Sequence, residues 1–480
     1  MKENLNIVHV NDHKRDLSRE SIFYATALIF SGLVQVAFLP FFSKFLSADA
    51  AGELGTLRII AEAIAGIVVL GLPTALIRAW QRTANHRAVL VRGIFFPAVP
   101  ALLMALLVLL LQGSLTSFLH LQHSQYLIHA VLLGIGVAYV QLSLSFPRAD
   151  GLAGRYLLLQ IIRGFLALGA LAVFLYAFSF NAIPSFLTAR WAPSFLIAAV
   201  AIIMMWKRTA GSERTEKPST LSSDILGFSL PLIPATLSMI VLSSADMFML
   251  RNIYPDLAES GYYEWASRAC LVLMPMILGF DMAWKRFIFR KRRTGGNLAE
   301  LGRAGLLFMV MVNWTALLLA MSSPWIVGLV GGVHFLPSLR VLPTLAGASA
   351  MFGLFLISQT GCLLTGQTRY IAGMTLFGAI LNIGFNFRLI PVAGALGAAF
   401  ATLGTNLFMA LSLFWLGRKV FPISFFAVTL TVVLPISYGP LATLNAGFRS
   451  AIVLVGSFIT ILIIAVLRKL GTTISEGSSE

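Results

Sequence analysis

The chain has 480 residues, of which 58% are apolar and only 11% charged, and its mean hydropathy is +0.87. A soluble domain carries about 25% charged residues, so this surface has too few charges to be wetted throughout, and lipid must solvate much of it. The net charge of +16 then marks basic loops against an anionic leaflet and not nucleic-acid binding, because no soluble basic domain is present to carry the latter.

From the N-terminus, about 20 polar residues precede an apolar run at 21–46, far longer than the ~7–15-residue core of a signal peptide. An uncleaved first helix is expected in spite of the small-residue site Ala48-Asp49-Ala50. Further runs able to cross ~30 Å of hydrocarbon lie at 54–79, 89–112, 125–147, 157–178 and 186–206. After a polar break they resume at 225–250, 260–284, 304–331, 341–366, 370–390, 394–417, 422–442 and 449–467. The expected fold is all-α and polytopic, with about 14 helices, or 12 if the final pair is over-counted. Pro40, Pro73, Pro231, Pro234 and Pro275 fall inside these spans. In a bundle, neighbouring helices can satisfy the freed carbonyls, so they mark expected kinks. Cys270 and Cys362, the two cysteines, both sit in apolar runs and form neither a disulfide framework nor a zinc motif.

With the N-terminus placed in the cytoplasm and the spans alternating, 26 of the 35 basic residues fall on the inner side, most densely at 285–303. Seven lie at or near the outer ends: Lys44, Arg58, Arg190, Arg251, Arg340, Arg388 and Arg449. Arg163 and Arg268 lie within spans. This bias expects both termini inside and an even span count. No outer loop exceeds about 15 residues, which leaves no room for a soluble catalytic domain. The chain also has no Gly-Lys pair and therefore no phosphate-binding loop for ATP. No cofactor or metal is expected, and the protein reads as a carrier and not an enzyme.

The polar break organises the chain into a cytoplasmic segment at 1–20, a first lobe at 21–206 and a linker at 207–224. A second lobe follows at 225–417, then two additional helices at 418–467 and a cytoplasmic tail at 468–480. The starts of the lobes resemble each other: aligning Gly55 with Gly261 brings Leu70-Gly71-Leu72 close to Ile277-Leu278-Gly279. Both copies begin inside, so the repeat is parallel, with two six-helix lobes expected around a central cavity. In the same alignment Arg58 and Glu62 match Glu264 and Arg268, two i,i+4 pairs with swapped signs. They are either two intrahelical ion pairs or a charge gate in which Arg58 meets Glu264 and Glu62 meets Arg268.

Three stretches carry a family likeness. They are SADAAGELGTLRIIAEAIAGIVVLGLPTALIR, running to Arg78; GFSLPLIPATLSMIVLSSADMFML at 227–250; and LNIGFNFRLIPVAGALGAAFATLGTN at 381–406. In this order they resemble the Wzx-type polysaccharide/oligosaccharide flippases of the multidrug/oligosaccharidyl-lipid/polysaccharide exporter superfamily. Many such flippases have twelve helices, so the last two here are an addition to that set or an over-count. The likeness implies movement of an undecaprenyl-diphosphate-linked oligosaccharide from the cytoplasmic to the periplasmic leaflet of a bacterial inner membrane. Its surroundings would be membrane lipids, a polysaccharide polymerase and glycosyltransferases, and its products would serve O-antigen, capsule or exopolysaccharide synthesis. Lipid II flippases and cation-coupled multidrug exporters of the same superfamily are the near alternatives; a membrane polymerase or ligase is the distant one.

A diphosphate cargo needs forked cationic donors. The candidates are Arg78, Arg163 and Arg268, with an inner-face anchoring role as the alternative for Arg78 and snorkelling to the inner face for Arg163. Asp246 is a candidate for ion coupling, alongside the gate set Arg58, Glu62 and Glu264, whereas Asp281 lies four residues before Lys285 and reads as an ordinary helix-surface pair. Asn313, Gln359, Asn382, Asn386 and Asn406 are possible sugar contacts, or hydrogen-bonding residues between helices.

Overall fold

The computed structural model describes residues 22–177, 181–211, 218–230, 233–293 and 298–418. All regular secondary structure among them is helical, as required where no water is available to pair with the backbone. Ten helices among the described residues are long and apolar enough to cross a membrane, and the chain is a multi-pass membrane protein.

In chain order the helices are α1 (Ile22–Phe45), α2 (Ala48–Arg82), α3 (His86–Leu110), α4 (Tyr126–Ala149), α5 (Ala153–Ala177) and α6 (Ala182–Arg208). The seventh expected span is a pair, α7 (Pro218–Ser229) and α8 (Ile233–Ile253). Then come α9 (Ala258–Phe289), α10 (Leu301–Gly331), α11 (Leu342–Thr365) and α12 (Thr368–Gly417). The expected spans at 422–442 and 449–467, and the tail, lie outside the described residues.

Several breaks sit where the prolines placed them. Helix α1 is interrupted at Phe38 and restarts at Leu39 with Pro40 in its first turn. Helix α2 is interrupted at Leu70 and Gly71, both left-handed at φ 43° and 72°. It restarts at Leu72 with Pro73 at the next position, where a missing N–H costs nothing. Glycine adopts that conformation freely and leucine does not, so Leu70 is held there by its surroundings. In α9 the break is a 3-10 turn at Leu271–Leu273, just before Pro275.

The 50 residues of α12 form a hairpin and not one rod. Gly394 has φ 55°, three residues after Pro391. A straight helix would place Phe377 and Phe408 roughly 45 Å apart at ~1.5 Å per residue, yet their ring centroids are 5.6 Å apart. Gly404 likewise lies against the Phe385 ring. The arms therefore run antiparallel, which matches the separate spans expected at 370–390 and 394–417.

Two compact units make up the chain, Met1–Gly261 and Tyr262–Glu480. In the first, α4 runs between α2 and α6, while α7 lies on α2 and α3, and α8 on α2. Gly134 makes the α2–α4 contact possible, because a Cβ there would sit 2.6 Å from the Ala61 carbonyl oxygen. Helices α3 and α5 instead present leucines and phenylalanines outward, among them Leu102, Leu110 and Phe165. In the second unit α11 is the central helix, packed on α10 and on the hairpin α12.

Loops at one end of the first unit are tied together by a buried arginine. Arg251 donates from Nε to the Leu119 carbonyl (2.9 Å) and from Nη2 to the His120 carbonyl (2.7 Å), capping the short helix Gln112–Phe118. Glu53, fully buried, accepts from the Gln122 N–H at 2.9 Å and is in electrostatic contact with Arg251. Arg251→Ala would strand both carbonyls and the Glu53 charge. The expected cost is about 3–5 kcal/mol, read as a lowered thermal midpoint of the purified protein; an unchanged midpoint would refute the structural role.

Candidate substrate cavity

A cavity of about 440 Å³ lies inside the first unit, walled by α1, α2, α4, α5 and α6. Its charged lining is Arg58 and Glu62 from α2, Arg148 from the end of α4, Arg163 from α5 and Arg190 from α6. Four guanidinium groups thus face one carboxylate. The remaining polar lining includes Gln35, Gln141, Tyr156, Gln160 and Ser194, set among Phe30, Val34, Phe38, Leu133 and Val137.

Each charge has its own setting. Arg58 and Glu62 close an i,i+4 pair, Nη1 to Oε1 at 2.5 Å, with side chains 22% and 42% exposed. Arg190 donates to Gln35 Oε1 at 3.2 Å, joining α6 to α1. Arg148 lies 5.8 Å from the Tyr156 ring and 5.9 Å from that of Tyr24, within cation–π range. Gln160 donates to the Tyr156 hydroxyl at 3.3 Å, while its buried Oε1 has no hydrogen-bond partner. Arg163 is half-buried, and no carboxylate among the described residues ion-pairs with it. Guanidinium groups stay charged at any physiological pH, so the chamber is strongly electropositive and walled in part by apolar side chains.

Of the residues singled out from sequence, Arg58, Glu62 and Arg163 come together here. Arg78 lies outside this lining, its guanidinium stacked 4.4 Å from the Phe228 ring of α7. Asp246 is buried in α8, also away from the cavity. In the second unit Arg268 and Glu264 form their own i,i+4 pair at 2.8 Å, 5% and 1% exposed. Both sign-swapped pairs therefore close within their own helices. Asp281 and Lys285 also pair within α9, at 2.6 Å.

Asn313, Gln359, Asn382, Asn386 and Asn406 are all buried in the second unit. Asn406 donates to the Ala348 carbonyl at 3.0 Å and so joins α12 to α11; Asn386 donates to Asn382 Oδ1 at 3.0 Å; Asn313 donates to Met309 one turn back at 2.8 Å.

Sequence reasoning missed Gln35, Gln141, Arg148, Tyr156, Gln160 and Arg190 as cavity residues. One signal was available: Tyr156, Gln160 and Arg163 are spaced i, i+4, i+7, a polar stripe on one face of an apolar span. Arg148 and Arg190 lie near helix ends, where a basic residue reads as part of the charge bias, and this hides their position on the chamber wall.

The fold is the one seen in transporters of the MOP superfamily. The lipid II flippase MurJ, in an inward closed conformation, matches with a TM-score of 0.70 at 13% identity, over 94% of this chain and 99% of that one. An inward-facing multidrug-resistance MATE-family transporter matches at 0.61 and 17% identity, over 83% and 94%. A MATE transporter of Vibrio cholerae matches at 0.57 and 15%, over 84% and 97%. No protein-family model matches the sequence, and no curated protein matches it either.

Proposed function

We propose that this protein is a flippase that moves an undecaprenyl-diphosphate-linked oligosaccharide across a bacterial inner membrane by alternating access, with both termini cytoplasmic. The observation that carries the proposal is the cavity: four arginines against one carboxylate, in a transporter fold. A chamber of that charge favours an anion, and arginine's planar fork suits phosphate oxygens. The interleaved carboxamides and the tyrosine supply hydrogen bonds of the kind sugar hydroxyls use, and the aliphatic wall tolerates a lipid. An exporter of cationic drugs would be expected to carry the opposite charge balance, so that reading is disfavoured.

In this scheme Arg148, Arg163 and Arg190 meet the diphosphate and Asp246 is the candidate for ion coupling. Arg78 anchors the cytoplasmic end of α2, and Arg268 with Glu264 keeps α9 neutral. Asn406 of the second unit holds α12 to α11. No coupled ion is needed to account for direction. An inside-negative potential drives negative charge outward and releases ~2.3 kcal/mol per charge per 100 mV.

A second reading is a lipid II flippase, favoured by the near-complete coverage of this chain by MurJ. Deletion of the gene separates the two. Lipid-linked repeat units are expected to accumulate on the cytoplasmic face, with loss of surface polysaccharide and normal cell-wall synthesis. Arrested peptidoglycan with lysis would favour lipid II, and lost drug resistance with glycan export intact would overturn both.

A further inference from the structure

The two sign-swapped pairs are alike in sequence and unlike in setting. Glu264 and Arg268 are almost fully enclosed, and Glu264 Oε1 receives both Nε (2.9 Å) and Nη2 (2.8 Å) of Arg268. Breaking that pair would leave buried charges unmatched, so it stays closed. Glu62 and Arg58 instead line the cavity, 42% and 22% exposed. An ion pair so open to water is held weakly and can exchange partners. Among the described residues Glu62 is also the only carboxylate in the cavity lining; every other charged group there, Arg58 on α2, Arg148 on α4, Arg163 on α5 and Arg190 on α6, is cationic.

We propose that Glu62 is a built-in competitor for the substrate's phosphate: it occupies Arg58 while the chamber is empty and surrenders it when a diphosphate enters. The proposal rests on the anion-carrying function above and adds a residue that sets affinity. A tethered carboxylate resembles one phosphate oxygen pair in charge and acceptor geometry but makes a weaker partner for guanidinium than a phosphate does. Its presence has two consequences. The empty carrier holds one less uncompensated charge while it resets. Arriving cargo must displace Glu62, so affinity is tempered and the cargo can leave on the far side. A site whose donor is engaged for about nine-tenths of the time loses about tenfold in apparent affinity.

The test is pyrophosphate binding to the full-length protein in lipid nanodiscs, for wild type, Glu62→Gln, Glu62→Asp, Arg58→Gln and the Arg58→Gln/Glu62→Gln double variant. Glu62→Gln is expected to tighten binding about tenfold while slowing glycan export in cells. Glu62→Asp keeps the charge but withdraws it by one methylene from Arg58, and an intermediate gain is expected. In the Arg58→Gln background the Glu62→Gln gain should largely vanish. An equal gain with and without Arg58 would mean that Glu62 acts only through the general field, and the proposal fails. Weaker binding in Glu62→Gln would make Glu62 a positioning residue for Arg58 and also overturn it. Absence of pyrophosphate binding in wild type and in every variant would remove the anion-carrying function itself, an outcome distinct from the other two.

Discussion

Arg163→Gln is expected to lower glycan export by about 10–100-fold while leaving the thermal midpoint of the purified protein close to that of wild type. A hydrogen bond to a charged group contributes about 1.5–3 kcal/mol, and a forked guanidinium–phosphate contact lies toward the upper end of that range. At ~1.4 kcal/mol per factor of ten, one or two decades follow. The stability expectation comes from the geometry: Arg163 faces the chamber, and no carboxylate among the described residues ion-pairs with it. Removing its charge breaks no pair and relieves repulsion from Arg148 and Arg190. Arg163→Lys keeps the charge without the fork and should fall between the two. The measurement is surface polysaccharide restored by each variant in a deletion strain, with membrane levels matched. Full restoration by Arg163→Gln would exclude Arg163 from cargo binding.

Gly261→Val is expected to be strongly disruptive at the loop end of the first unit. A Cβ at Gly261 would overlap the carbonyl group of Ala48, in the first turn of α2. The obstacle is backbone, so no side-chain rotation relieves it, and the start of α9 must part from the start of α2. Overpacking of this kind costs about 1–3 kcal/mol or more, and the rigid partner puts this case at the upper end. Ser47 fixes the same turn by accepting from the Ala50 N–H at 3.3 Å, so the start of α2 cannot easily unwind to make room. Gly52→Ala, directed at the Ser260 hydroxyl, should cost less because a side chain can turn aside. Thermal unfolding of both variants in detergent checks the order. A Gly261→Val protein as stable as wild type would refute the contact.

The two paired charges differ in their surroundings and not in their spacing. A spacing of i,i+4 is enough to bring Arg58 to Glu62 and Glu264 to Arg268, because one helical turn sets it. Whether the pair can open depends on what surrounds it. Arg58 and Glu62 border a chamber; Glu264 and Arg268 are packed over. The same spacing therefore closes a local contact in both helices, one beside a chamber and one packed over.

The spans were legible in the sequence because hydrocarbon thickness imposes a length on every crossing helix and excludes charge from it. Ten helices long and apolar enough to cross a membrane cover eleven of the twelve expected spans within the described residues, α12 supplying two joined at Gly394, while the seventh is met by the pair α7 and α8. Helix breaks at Pro40, Pro73 and Pro275 were legible for an equally local reason: proline removes one N–H and crowds the preceding turn. The identity of the chamber was not legible. A span bathed in lipid is apolar on both faces, so periodicity reveals little of which side turns inward. Helix rotation and packing alone bring Gln35 to Arg190, and Arg148 and Arg163 to one wall. They also bury Asn382, Asn386 and Asn406, which the sequence alone left open between sugar contact and helix packing. The sequence determined that the chain crosses a membrane many times and where charge was retained; tertiary packing decided which of those charges share a cavity.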